Sequence, residues 1–292
     1  MILNRIFILT LFIIIILQTR FSTAASFPSD SIASENKWRI GLIASEAVDF
    51  SGYVLVREAQ YSGDKLSFTK HLGMKNLLST GIFISYLLNN KSSLFSFSFQ
   101  RNFFRGHSVI PNDIFFNGTL IKGSDGISIN RTEFTRLSFR FEKSFNNSHK
   151  FYPEIIAGLL FDRILFKIDG TILPNSPRFE PVEGFKRQAL PYPFLGTRLN
   201  RKLSAKSMLS IEASGTYIPL FKSFFKEGGP VYLKYYSADA DLNYQHAQGA
   251  FTFNIAYFWR ELRIYEYSEE DTNDFFLSVS GIRFTIVYRF TL

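Results

Sequence analysis

The sequence predicts an all-β fold: an antiparallel transmembrane β-barrel of about ten strands, within a range of eight to fourteen. Three observations carry this. Apolar and polar residues alternate with a period of two along most of the chain, a segregation that a strand imposes and a helix cannot. The segments between alternating runs switch regularly between tight polar turns and long polar stretches, as in barrels that cross a membrane. The third is compositional. The chain has 34 Phe in 292 residues and a mean hydropathy of +0.02, yet past its N-terminus it holds no apolar run of the ~20 residues a helical span needs.

The first segment is separate from the fold. Met1 to Arg5 is basic, Ile6 to Leu17 is a continuous apolar stretch with one Thr, and Ser22 to Ala25 supplies small residues for cleavage. This is the build of a secretory signal peptide, too short to span as a helix. Residues 1–25 are read as a signal peptide handled by the Sec pathway, and 26–292 as the barrel domain. Removing 25 residues leaves 267, with a net charge of +6. The chain has no Cys, so neither a disulfide framework nor a Cys-based metal site can form. A long, exported, Cys-free chain fits a bacterial envelope better than a small secreted domain.

Strands are expected near 38–58, 79–89, 92–103, 133–144, 150–163, 192–203, 207–218, 231–245, 249–263 and 275–291. The first is the least regular: Trp38 to Ala44 and Gly52 to Val56 can be read as two strands, with Lys65 to Thr69 as a further piece. The alternation is clear in Phe95, Phe97 and Phe99 against Ser96, Ser98 and Gln100. It recurs in Leu137, Phe139 and Phe141 against Arg136, Ser138 and Arg140. It returns in Phe251 to Trp259 and in Ile282 to Phe290. Tight turns fall at 89–92, 146–149, 204–206 and 246–249, and long stretches at about 104–131, 170–191, 219–230 and 265–274. Four prolines in the second suit an irregular loop. Asn117-Gly118 in the first has the chemistry of a small hairpin turn.

With the aromatic face turned outward to lipid, the inward face carries Arg136, Arg140, Arg198, Arg260, Arg283 and Arg289. It also carries Glu142, Glu154, Asp162, Glu212, Asp239 and Asp241, a balanced set. A barrel of about ten strands is narrow and must be filled by side chains. Charges there are tolerable only when paired and hydrogen-bonded, and the planar fork of Arg suits carboxylates better than Lys does. The expectation is a mostly closed, salt-bridged lumen. Tyr217, Tyr232, Tyr236, Tyr257, Trp259 and Tyr288 are expected in interfacial girdles, while the register turns Tyr152 inward. A soluble barrel with its apolar face inward is the alternative. Its usual eight strands need well under 267 residues.

On these features the sequence resembles the outer-membrane β-barrel proteins of Gram-negative bacteria. Gly281 to Leu292 is similar to their C-terminal assembly signal, although Leu292 is terminal and the aromatic Phe290 stands two residues before it. The middle region resembles more particularly a poorly characterised barrel family. The matching segments are Gly63-Asp64-Lys65-Leu66 running into Leu72-Gly73, then Ile114-Phe115-Phe116-Asn117-Gly118. They continue with a strand that contains Thr135-Arg136-Leu137 and closes at Phe145. The resemblance implies the bacterial outer membrane as location, and as partners its lipid, lipopolysaccharide and the barrel assembly machinery, which reads the last strand.

Catalytic chemistry is sparse. Of the four His, His149 and His246 fall in short turns, His71 precedes the second strand, and His107 stands beside Ser108 past the third. Neighbours in sequence rarely face each other as a nucleophile and base must. No phosphate-binding Gly-rich loop, cofactor motif or metal-ligand spacing is present. The excess positive charge lies in loops, as at Arg178, Lys186, Arg187, Lys222 and Lys226, and does not point to nucleic acid. The expected protein is a non-enzymatic barrel for envelope structure, surface interaction or restricted solute passage, without cofactor or metal. The alternative is a lipid- or peptide-modifying enzyme with its site in the long loops near His107 or His71.

Overall fold

The computed structural model describes residues 37–290, except 59–60, 62, 89–91, 130–131, 146–148, 186–190, 227–229 and 270. The signal segment therefore lies outside the described residues. Ten long strands form the wall: β1 (Trp38–Glu58), β2 (Met74–Leu87), β3 (Ser93–Ser108), β4 (Glu133–Ser144), β5 (Phe151–Lys167), β6 (Tyr192–Lys202), β7 (Ser207–Lys226), β8 (Pro230–Gln248), β9 (Phe251–Tyr267) and β10 (Asp271–Phe290). Each pairs antiparallel with its neighbours in sequence, and β10 closes the ring on β1, from Trp38 opposite Phe290 to Glu58 opposite Asp271. Closure leaves no free edge in the wall.

The first stretch is one strand, not two. A register shift between Ala47 and Asp49 bulges Val48 outward, which interrupts the alternation in the sequence without breaking the pairing. Lys65–Ser67 pairs with Tyr53–Leu55 as a short extra strand. The stretches 219–230 and 265–274, expected as long loops, are largely strand. The β7–β8 and β9–β10 ladders run on to Lys226 opposite Pro230 and Tyr267 opposite Thr272. The polar sequence around 265–274 reflects a solvated wall, not a loop. Arg263 donates to Asp274 at 2.9 and 3.1 Å, and the Tyr53 hydroxyl donates to the same carboxylate at 3.0 Å, tying three strands together.

The outer face near the short turns is an apolar belt. Leu42, Phe97, Phe139, Ile155, Leu199, Ile211, Phe253 and Phe284 are all exposed there, Phe284 to 55%. Soluble proteins rarely leave so continuous an apolar surface in water, and a lipocalin-like barrel puts that face inside. Trp38 packs at a tilt against Tyr86 (4.9 Å between ring centroids) and Phe251 against Tyr288 (5.2 Å) at the short-turn rim. Tyr152 is buried and turned inward, its hydroxyl 3.1 Å from the Met208 sulfur. Glu46, opposite Ile282 on β10, is an exposed outward carboxylate within β1.

The apolar core sits at the other end. There the inward face of the wall switches from charged to apolar: Val54 and Val56, Phe104, Phe134, Ile164 and Phe166, Leu262 and Ile264, Phe275 and Leu277 are buried. The segments between β1 and β2, β3 and β4, and β5 and β6 fold inward onto it, contributing Leu66, Phe68, Leu72, Ile114, Phe116, Ile121, Ile127, Ile129 and Ile168. Phe68 is central, with ring centroids 5.4 Å from Phe275, 6.1 Å from Phe166 and 6.2 Å from Phe104. Burying each such side chain contributes roughly 1.5–3 kcal/mol, so these loops form a folded cap. Ile114–Phe116 and Thr119–Ile121 make the hairpin expected at Asn117-Gly118. Both turn residues have positive φ, 51° and 69°, as the tight turn demands.

Candidate functional site: a charged lumen beneath a loop cap

The inward charges come from seven adjoining strands, β4 to β10. Even spacing puts Arg136, Arg140 and Glu142 on one face of β4, Glu154 and Asp162 on one face of β5, and Asp239 and Asp241 on one face of β8. Arg198 on β6, Glu212 on β7, Arg260 on β9 and Arg283 and Arg289 on β10 complete the set.

They form two clusters. Nearer the cap, Arg136 grips Asp162 with both arms of its fork (2.7 and 2.8 Å) and reaches across the barrel to Asp239 (3.2 Å). Arg260 also binds Asp239, and the Tyr235 hydroxyl donates to Asp162 at 2.5 Å. Arg136 and Asp162 are both buried, so every lone pair left unmet would be costly. The two-armed pairing and the tyrosine meet that demand. Nearer the short turns, Arg198 is held by three carboxylates: Glu142 (2.7 Å), Glu154 (2.7 Å) and Glu212 (2.6 Å). Arg140 adds Glu212 (2.9 Å) and Glu142 (3.2 Å), and Arg283 binds Asp241 (2.5 Å). Arg289 differs: its polar contact is with Thr252 (2.7 Å). Many of these ties join strands that are not neighbours, so they fill the lumen and brace the wall.

Free space divides along the same line. Between the upper cluster and the cap, a cavity of about 10 Å³ lies beside Phe258 and Arg260. Around the lower cluster, at the short-turn end, a cavity of about 260 Å³ remains. Arg39 and Arg289 line it with Arg140, Arg198 and Arg283.

His107 is hydrogen-bonded to Ser128, not Ser108, through Nδ1 to Oγ at 2.9 Å. In register His107 pairs with Ser128, which pairs in turn with Asp169. That row puts the serine between histidine and carboxylate, whereas a nucleophile relay needs the carboxylate on the histidine. Asp169 is bound instead by Lys167 (3.1 Å). His71 accepts from the Ser67 backbone N–H (3.1 Å), and His246 is bonded to Ser207 (2.9 Å). Among the described residues no group of His and carboxylates has a metal-binding arrangement.

Sequence reasoning missed Arg39 and the apolar cap. A signal for the cap was present: the inward parity that carries Arg283 and Arg260 continues into Val279, Leu277 and Phe275 on β10, and into Leu262 and Ile264 on β9.

No protein-family model and no curated protein sequence matches the chain. Among solved structures, the outer membrane protease OmpT from Escherichia coli is similar at 11% identity and a TM-score of 0.49, covering 93% of this chain and 100% of that one. The translocator domain of the autotransporter NalP from Neisseria meningitidis is similar at 14% identity and a TM-score of 0.40, covering 91% and 100%. Neisserial surface protein A follows at 8% identity and a TM-score of 0.34, covering 87% and 97%. Likeness at this level assigns no role.

Proposed function

We propose that the protein is an integral barrel of the Gram-negative outer membrane, delivered by a cleaved signal peptide, with a sealed lumen and a non-enzymatic role in envelope structure and surface contact. The observation that carries this reading is the reversal of faces along the wall. The belt near the short turns is apolar outside and charged inside, and the far end is apolar inside beneath the folded cap. Only lipid suits the first arrangement, and the second leaves a decorated lid on the side of the long loops. Transverse ion pairs and the cap together disfavour solute passage. Outward cations above the belt, Arg57, Lys75, Arg105, Arg163 and Arg263, are placed to meet lipopolysaccharide phosphates. The alternating strand from Ile282 to Phe290 is the part offered to the barrel assembly machinery. Membrane fractionation with a heat-modifiable gel shift tests the reading: the barrel stays with outer membranes and migrates faster unheated. A protein soluble without detergent contradicts it.

A second reading, an enzyme of the outer face, rests on the His107–Ser128 hydrogen bond. Loss of a lipid- or peptide-cleaving activity in both His107→Ala and Ser128→Ala would favour it.

A further inference from the structure

We propose that the short-turn end of the lumen is a binding site for a small oxyanion, a phosphate or a carboxylate, held between Arg39 and Arg289. This goes beyond the sealed-barrel reading, because it concerns only the open half of the lumen.

Arg39 on β1 and Arg289 on β10 are direct partners across the strand pair that closes the barrel. Both line the cavity of about 260 Å³. Like charges placed opposite each other on a sheet are destabilising, and every other arginine lining that cavity is offset by a carboxylate: Arg140, Arg198 and Arg283 bind Glu212, Glu142 and Asp241. Arg39 and Arg289 have no carboxylate within 4.0 Å among the described residues. The Nε atoms of both are buried without a hydrogen-bond acceptor. So is the Oγ of Ser85, the partner of Arg39 on β2, which lines the same cavity.

The remaining polar contact of Arg289, to Thr252 at 2.7 Å, fixes its guanidinium against the wall and leaves its other donors free. Two adjacent planar forks with unfilled donors, plus a hydroxyl, make a receptor for an oxyanion, whose oxygens accept charge-assisted hydrogen bonds from both. Glu142 and Glu154 do not supply those acceptors: both turn to Arg198 (2.7 Å each). Size sets the class. The cavity is smaller than the ~300–1,000 Å³ of pockets for drug-sized ligands, which suits a metabolite-sized anion. Arg198 and Arg283 stay about a fifth exposed, so solvent reaches this end of the lumen.

The test uses the full-length barrel refolded in detergent, titrated calorimetrically with inorganic phosphate at constant ionic strength in chloride. The expected result is one saturable site, competed by acetate, with affinity at least tenfold weaker in Arg39→Gln and in Arg289→Gln. Arg101→Gln, on the outer wall, leaves affinity unchanged. Where either lumen variant fails to fold, the wild type answers. Phenylglyoxal labels Arg39 and Arg289, and phosphate protects both from the reagent, as read by peptide mass spectrometry. Absence of saturable heat, affinity unchanged in the two lumen variants, or labelling unaffected by phosphate would overturn the proposal.

Discussion

Asp64 and Phe115 exchange two hydrogen bonds across the cap: the Phe115 N–H donates to Asp64 Oδ2 at 2.7 Å, and the Asp64 N–H donates to the Phe115 carbonyl at 2.9 Å. They belong to two of the short segments on which the family resemblance rests. Those segments, far apart in sequence, are thus where the β1–β2 and β3–β4 connections lock together. Asp64→Ala leaves the Phe115 N–H without its acceptor, a loss of about 1–3 kcal/mol when such a group stays buried. Limited proteolysis of the folded barrel checks it: the variant is cut faster within loop residues 61–72, while its heat-modifiable shift persists.

Phe68 occupies the middle of the cap, fully buried among Phe104, Phe166 and Phe275. Truncating it to Ala removes that packing and leaves a cavity, so the variant is destabilised by roughly 3–5 kcal/mol. Urea unfolding in detergent reads the shift. A change below about 1 kcal/mol contradicts a load-carrying cap.

Arg198 and Arg101 separate the lumen from the outer wall. Arg198→Ala leaves Glu142, Glu154 and Glu212 facing one another without their shared cation, and breaking a buried pair in this way costs about 3–5 kcal/mol. Arg101, paired with Glu133 and 41% exposed, loses no more than about 1 kcal/mol on truncation. Equal effects would mean that the lumen network is solvated like a surface.

Phe139 lies on the exposed belt, 5.9 Å from Phe95 in ring-centroid distance. Phe139→Arg places a charge in lipid at a cost of roughly 2–4 kcal/mol if it lies near the midplane. Refolding yield into vesicles falls accordingly, whereas Phe139→Leu refolds like the wild type.

The wall was legible because its strands repeat one strong signal. Phe95, Phe97 and Phe99, or Phe251 to Trp259, alternate long enough to fix both strand and face. The inward arginines and carboxylates followed from the same parity. Of the cap, only the Asn117-Gly118 hairpin and the apolar continuation of the inward face on β9 and β10 were legible; its loop contribution was not. Leu66, Ile114, Phe116, Ile121 and Ile127 sit in three-residue strands, too short for any period, and their partners are inward residues of distant strands. Ladder extensions such as Tyr265 to Asp274 misled for a related reason: in water a paired strand needs no apolar face, so its sequence reads as a loop. Arg39 follows the same parity, between the outward Trp38 and Ile40, but the irregular β1 with its bulge at Val48 obscured which of its faces is inward.

Planar-bilayer conductance of the refolded wild-type barrel tests the central claim most directly. Membrane insertion with a sealed lumen predicts a closed baseline, without large steady openings. A large, stable open pore would contradict it, because neither the cap around Phe68 nor the transverse Arg136–Asp239 tie could then be in place.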